Sequence, residues 1–167
     1  MLNLLILVLF PLAMAFAAST DLLTMTISNR LVLVLAGAFF VMALAAGLSL
    51  AEIGQHVLAG TIVLAGAFVC FARGWIGGGD AKIAAATALW LGFDQMLPYL
   101  LQASFLGGVL TLLLLKFRSS PLHPRLAAYP WIERLHHKNT GVPYGIALAA
   151  AALMTYPDCV FMQKIVA

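Results

Sequence analysis

Long stretches without a formal charge constrain this chain more than any other feature. Residues 2–18, 31–51, 53–72 and 98–115 contain no Asp, Glu, Lys or Arg. Each is close to the ~20 apolar residues that carry a helix across a hydrocarbon layer of about 30 Å. Two further apolar segments, 81–93 and 142–156, complete a six-span pattern. A buried backbone in lipid must satisfy its own hydrogen bonds, which leaves helices and closed barrels. The chain lacks the alternation of barrel strands, so the expected fold is all-α: a polytopic membrane protein of about six transmembrane helices. With 63% hydrophobic and 9% charged residues, there is no stretch from which a separate soluble domain or linker could be built. Residues 1–167 are therefore read as a single membrane-embedded domain. No Lys or Arg precedes Arg30. Residues 2–18 thus lack the basic start of a signal peptide and read as a retained first span.

The basic residues orient the bundle. With the N-terminus outside, segments 19–30, 73–82 and 116–141 face inward. They hold Arg30, Arg73, Lys82, Lys116, Arg118, Arg125, Arg134 and Lys138, with Lys164 alone on the outer side. The net charge of +3 is thereby topological and no argument for nucleic acid. The aromatic and aliphatic residues of 116–141 (Leu126, Tyr129, Trp131, Ile132, Leu135) mark it as interfacial. Its Lys and Arg residues are expected to meet anionic lipid. Span four is short: residues 83–93 make about 16 Å of helix at 1.5 Å per residue. Either the bilayer thins there or the helix begins below the surface, drawing the preceding glycine loop inward. Cys70 and Cys159 fall near opposite ends of this layout, so neither a disulfide nor a zinc motif is expected. His123, His136 and His137 have only Glu133 nearby and suggest no metal site.

Two carboxyl groups stand out against this background. Asp21 follows span one, and Asp80 ends the run Gly77-Gly78-Gly79-Asp80 before span four. Two intervening spans return the chain to the same membrane face, where helix packing can bring the two together. Paired carboxyls share a proton, so one can activate water while the other polarises a peptide carbonyl. Glycines beside them leave backbone open to an extended substrate. On spacing alone, the plainer alternative is that Asp80 caps a helix and Asp21 marks a membrane boundary. Asn29 either orients a catalytic group or caps span two. Lys82 either acts on the pair and its substrate or snorkels to the head groups. Pro143 is expected to start the last helix, with Tyr144 and Gly145 along the groove.

The chain resembles the prepilin peptidases, or type IV leader peptidases, which are GxGD-type intramembrane aspartic proteases. The resemblance lies in Asp21 with Ile27-Ser28-Asn29-Arg30-Leu31, in Gly77-Gly78-Gly79-Asp80-Ala81-Lys82, and in Pro143-Tyr144-Gly145. It implies that Asp21 and Asp80 form a catalytic dyad, without cofactor or metal. It implies cleavage of a short basic leader from a prepilin at the cytoplasmic face of a bacterial inner membrane. The small size resembles the short form found with Flp (tight-adherence) pili, without the extra domain of the longer, methylating members. The alternatives are a broader intramembrane aspartic protease, or a non-enzymatic subunit or transporter of a secretion system.

Overall fold

A computed structural model describes residues 2–166. The described chain is helical throughout, with no strand: α1 (Leu2–Thr24), α2 (Asn29–Ala45), α3 (Leu50–Ala72), α4 (Gly78–Ser119), α5 (Pro124–Ala127), α6 (Pro130–His136), α7 (Tyr144–Thr155) and α8 (Val160–Val166). A 3₁₀ turn over Tyr156–Asp158 joins the last two. Leu2–Thr24, Leu50–Ala72, Gly78–Ser119 and Tyr144–Ile165 are long and apolar enough to cross a membrane, and Asn29–Ala45 is a shorter apolar helix.

α1 runs past the expected end at residue 18. Its polar last turns stay helical because the hydroxyls are satisfied locally: Ser19 donates to the Ala15 carbonyl at 2.8 Å and Thr24 to the Thr20 carbonyl at 2.7 Å. Asp21 thus sits on a helix instead of in a loop. α2 stops at Ala45, short of the expected Ala51. Gly47 takes φ +71°, and Ser49 and Glu52 form a reciprocal capping box that starts α3. This Ser-x-x-Glu pattern stops the apolar run of 31–51 before its end and separates α2 from α3. Ser28, not Asn29, caps α2.

The expected spans four and five form one element, α4, with a sharp hinge at Gly92 (φ 71°, ψ −177°). Beyond it the second arm doubles back: Thr111 shares a cavity with Asp80, and Ala103 shares one with Ala84. Pro98 lies within that second arm. The hinge breaks the backbone ladder, and the Leu89 carbonyl is taken instead by the Nδ1 of buried His56, at 2.8 Å. A Cβ at Gly92 would stand 2.7 Å from His56 Cε1, so the position has room for neither a side chain nor an ordinary φ.

The short first arm needs no local thinning of the bilayer. From Ile83 to Gly92 every residue is buried, because the arm is the central rod of the bundle, packed by α2, α3 and α7 and met by Met14 and Phe10 of α1 at Thr87 and Trp90. α3 approaches it closely at Gly60, where a Cβ would lie 3.1 Å from Leu89 Cβ. Above it an aromatic cluster fills the core. Trp90 packs against Phe10 (5.3 Å between centroids) and Phe161 (5.2 Å), and donates its indole N–H to the Leu35 carbonyl. Phe161 belongs to α8, a closing helix that was not expected beyond Pro157. Both cysteines are free thiols.

Segment 116–141 is more tied down than an interfacial loop. Arg118 donates to the carbonyls of Leu135 (2.7 Å) and Gly141 (2.8 Å), and Arg134 to the Leu23 carbonyl (2.7 Å). These two guanidinium groups fasten α6 and the approach to α7 onto α4 and α1. Their donors are thus engaged by backbone carbonyls of α1, of α6 and of the loop before α7.

Candidate active site

Asp21 is buried, 5% exposed, in the last turn of α1. Its Oδ2 accepts a 2.7 Å hydrogen bond from the backbone N–H of Gly145, at the start of α7. That N–H is one of the donors a helix start leaves without an intrahelical partner, and a helix N-terminus favours an anion. The contact demands glycine. A Cβ on Gly145 would stand 2.8 Å from Asp21 Oδ2 and 2.9 Å from Ile27 Cδ1. Pro143, the buried residue preceding α7, ends the loop at its N-cap and does not begin the helix.

Asp80 is the third residue of α4, after Gly78 and Gly79; the N-cap is Gly77, which carries no capping side chain. The carboxyl leans over that glycine, where a Cβ would lie 2.8 Å from Oδ2. Gly79 lets α4 meet the α1–α2 loop, since a Cβ there would be 3.3 Å from Ile27 Cβ. Gly78 faces Phe71 in the same way, at 3.2 Å. The three glycines therefore allow one helix start to settle against two neighbouring segments.

Asp21 and Asp80, from opposite ends of two intervening helices, line the same space. A chamber of about 210 Å³ lies between them, walled by Met25, Thr26, Ile27 and the three glycines. It adjoins a cavity of about 680 Å³ that both carboxyls also line, with Trp75, Thr111, Thr140 and Tyr144. This volume falls in the range of sites that hold small ligands or peptide segments. The Tyr144 ring lies against Gly107, whose lack of a side chain makes room for it.

Of the residues singled out in the sequence, Asp21, Asp80, Gly77, Gly78, Gly79, Tyr144 and Gly145 come together here. Lys82 and Asn29 do not line either carboxyl cavity. They bond to each other, Lys82 Nζ donating to Asn29 Oδ1 at 2.6 Å, and so tie the starts of α4 and α2. Met25 was not anticipated. It leaves α1 with φ +57°, a strained region for a side chain of its size, and lines both spaces. A Met gives no sequence signal for that conformation, where glycine is the usual choice. Thr111 was also missed, because its place depends on the doubling back of α4.

The arrangement offers two carboxyl groups facing a shared, partly enclosed space, with open glycine backbone beside them. Such a site can hold an extended peptide and a water between acid and base. No curated protein and no solved structure gives a significant match to the chain. The family model described as the type IV leader peptidase family matches residues 8–112, which span α1 to the second arm of α4 and include both aspartates. On that match the chain belongs to the type IV leader peptidase family.

Proposed function

We propose that the chain is an aspartic endopeptidase that removes the short basic leader of type IV, Flp-like prepilins. In this reading Asp21 and Asp80 hold one proton between them. The ionised carboxyl takes a proton from water as the oxygen attacks the scissile carbonyl. The protonated one hydrogen-bonds that carbonyl and the departing amine is protonated in turn. The glycine run presents backbone to the peptide, and Tyr144 and Gly145 bound the groove. Asn29 and Lys82 act as positioning residues that hold the start of α4 against α2. The whole of 1–167 serves as one multi-pass peptidase domain of the inner membrane, with the N-terminus outside.

The single observation that carries this proposal is the convergence of the two carboxyls on one cavity. The cavity lies at the end of the bundle where Lys82, Arg118 and Arg134 also gather. By the positive-inside rule that end is cytoplasmic. A dyad at a bundle end favours cutting where a leader meets an apolar segment over cutting within a span. The test is co-expression with the candidate prepilins. Asp21→Asn and Asp80→Asn each preserve shape but not acidity, and each is expected to lower processing by 10² or more, while the protein still accumulates. Processing retained by either variant refutes the dyad, and a new product N-terminus inside the apolar segment refutes leader cleavage.

A further inference from the structure

The carboxyl cavity continues into a second space of a different character. A groove of about 460 Å³ runs between α3 and the second arm of α4, and Asp80, Ile76 and Tyr144 line both it and the cavity. Its walls above Asp80 are apolar, with Ile62, Gly66 and Cys70 on one side and Ala84 and Ala103 on the other. Gly66 is exposed and Ile62 is 47% exposed, so the groove opens sideways, toward the lipid, along α3. Small residues on facing helices are where a further helix packs closely in a membrane. Among the described residues no element of this chain fills the gap.

The polarity changes along this continuous space. At the bundle end, two carboxyls line it and no Lys or Arg does; beyond Asp80 it is hydrocarbon-like. An occupant that suits both parts is a helical apolar segment with cationic residues at one end. Resting on the leader-peptidase reading, we infer that the groove between α3 and the second arm of α4 seats the apolar segment of the membrane-anchored substrate, which enters laterally from the bilayer. Its basic flank then lies in the carboxyl cavity. Asp80 stands at the junction of the two parts, so the cleaved bond falls beside the end of the apolar segment. Specificity would come from this change of polarity more than from any one side-chain pocket.

Gly66 gives a clean test, because a Cβ there meets nothing within 4 Å. Gly66→Leu places a side chain at the mouth of the groove from a position where its Cβ is unobstructed. Gly54→Leu, also on α3 with nothing within 4 Å and away from the groove, is the control. Purified proteins are compared on a membrane-anchored prepilin in vesicles and on a soluble peptide that ends before the apolar segment. Gly66→Leu is expected to lower the ratio of the two rates, anchored over soluble, by tenfold or more, and Gly54→Leu to leave it unchanged. In parallel, cysteines are scanned along the apolar segment of the prepilin and oxidised against Asp80→Asn enzyme. A crosslink is expected at Cys70, lost with Cys70→Ser; this arm decides the matter if the soluble peptide is not turned over. An unchanged ratio, or a Cys70 crosslink formed only between two copies of the enzyme, overturns the assignment of the groove while wild-type cleavage still upholds the peptidase. Failure of the wild type to cut any candidate prepilin removes both.

Discussion

Replacing Gly145 with alanine probes the seam between the first and last rods of the bundle. The added methyl would stand 2.8 Å from Asp21 Oδ2, 2.9 Å from Ile27 Cδ1 and 3.0 Å from Asp21 Cβ, all in buried surroundings. Asp21 Oδ2 and Ile27 Cδ1 are side-chain ends in a buried seam, and Asp21 Cβ is fixed to the backbone of α1, so relief requires both side chains to turn away and α7 to draw back from α1. Separation sacrifices the 2.7 Å bond from the Gly145 N–H to the carboxylate, and hydrogen bonds to charged groups contribute about 1.5–3 kcal/mol. Overpacking adds a penalty of about 1–3 kcal/mol. Alanine's better helix propensity offsets only about 1 kcal/mol, so the variant is expected to lose roughly 2–4 kcal/mol of stability. The effect on rate should be larger in kind, since a shift of about 1 Å in a reacting group can lower turnover by ~10²-fold. The assay is the processing rate of a co-expressed prepilin at equal enzyme level, with a thermal midpoint in detergent. Gly108→Ala, where a Cβ meets nothing within 4 Å, is the matched control and should process normally. Wild-type processing by Gly145→Ala, or equal damage in both variants, would refute the role assigned to this contact.

Two further predictions concern the hinge and the proton. Gly92→Ala meets both a φ that glycine alone tolerates and a contact 2.7 Å from the His56 ring, so a loss of at least about 3 kcal/mol is expected. Removing the ring with His56→Ala should relieve the clash but not the φ strain, so thermal unfolding of the double variant should show coupling between the two sites; strict additivity would sink the steric account. A pair of carboxyls sharing one proton becomes inactive when the second ionises, so the pH–rate profile should fall on its alkaline side. A profile with no such decline would count against proton sharing.

Much of the architecture was legible because apolar length and charge placement are direct consequences of a lipid solvent. The helical class and the approach of Asp21 to Asp80 followed from where charges interrupt the hydrophobic runs, whereas Gly78, Gly79 and Asp80 already form the first turn of α4 and not a loop. What escaped was set by contacts between distant elements. The length of the first arm of α4 looked anomalous against a bilayer, but its neighbours are protein, so hydrocarbon thickness is the wrong ruler. His56 carries no signal until Gly92 frees the Leu89 carbonyl. Asn29 and Lys82 looked like partners of the chemistry from their nearness in sequence, yet they face each other. The guanidinium clamps of Arg118 and Arg134 could not be told from lipid-facing charges by composition alone.

The enclosed arm of α4 fixes the depth of Asp80 in an indirect way. Asp80 lies near one end, and the His56 bond to the Leu89 carbonyl grips the other, nine residues or about 14 Å along the axis. The acid is in effect suspended from a peg deep in the bundle and set apart from the swelling and thinning of the lipid by the helices around it. Swapping the host membrane for one of different acyl length would tilt the outer rods, whereas the vertical position of this carboxyl would follow the peg.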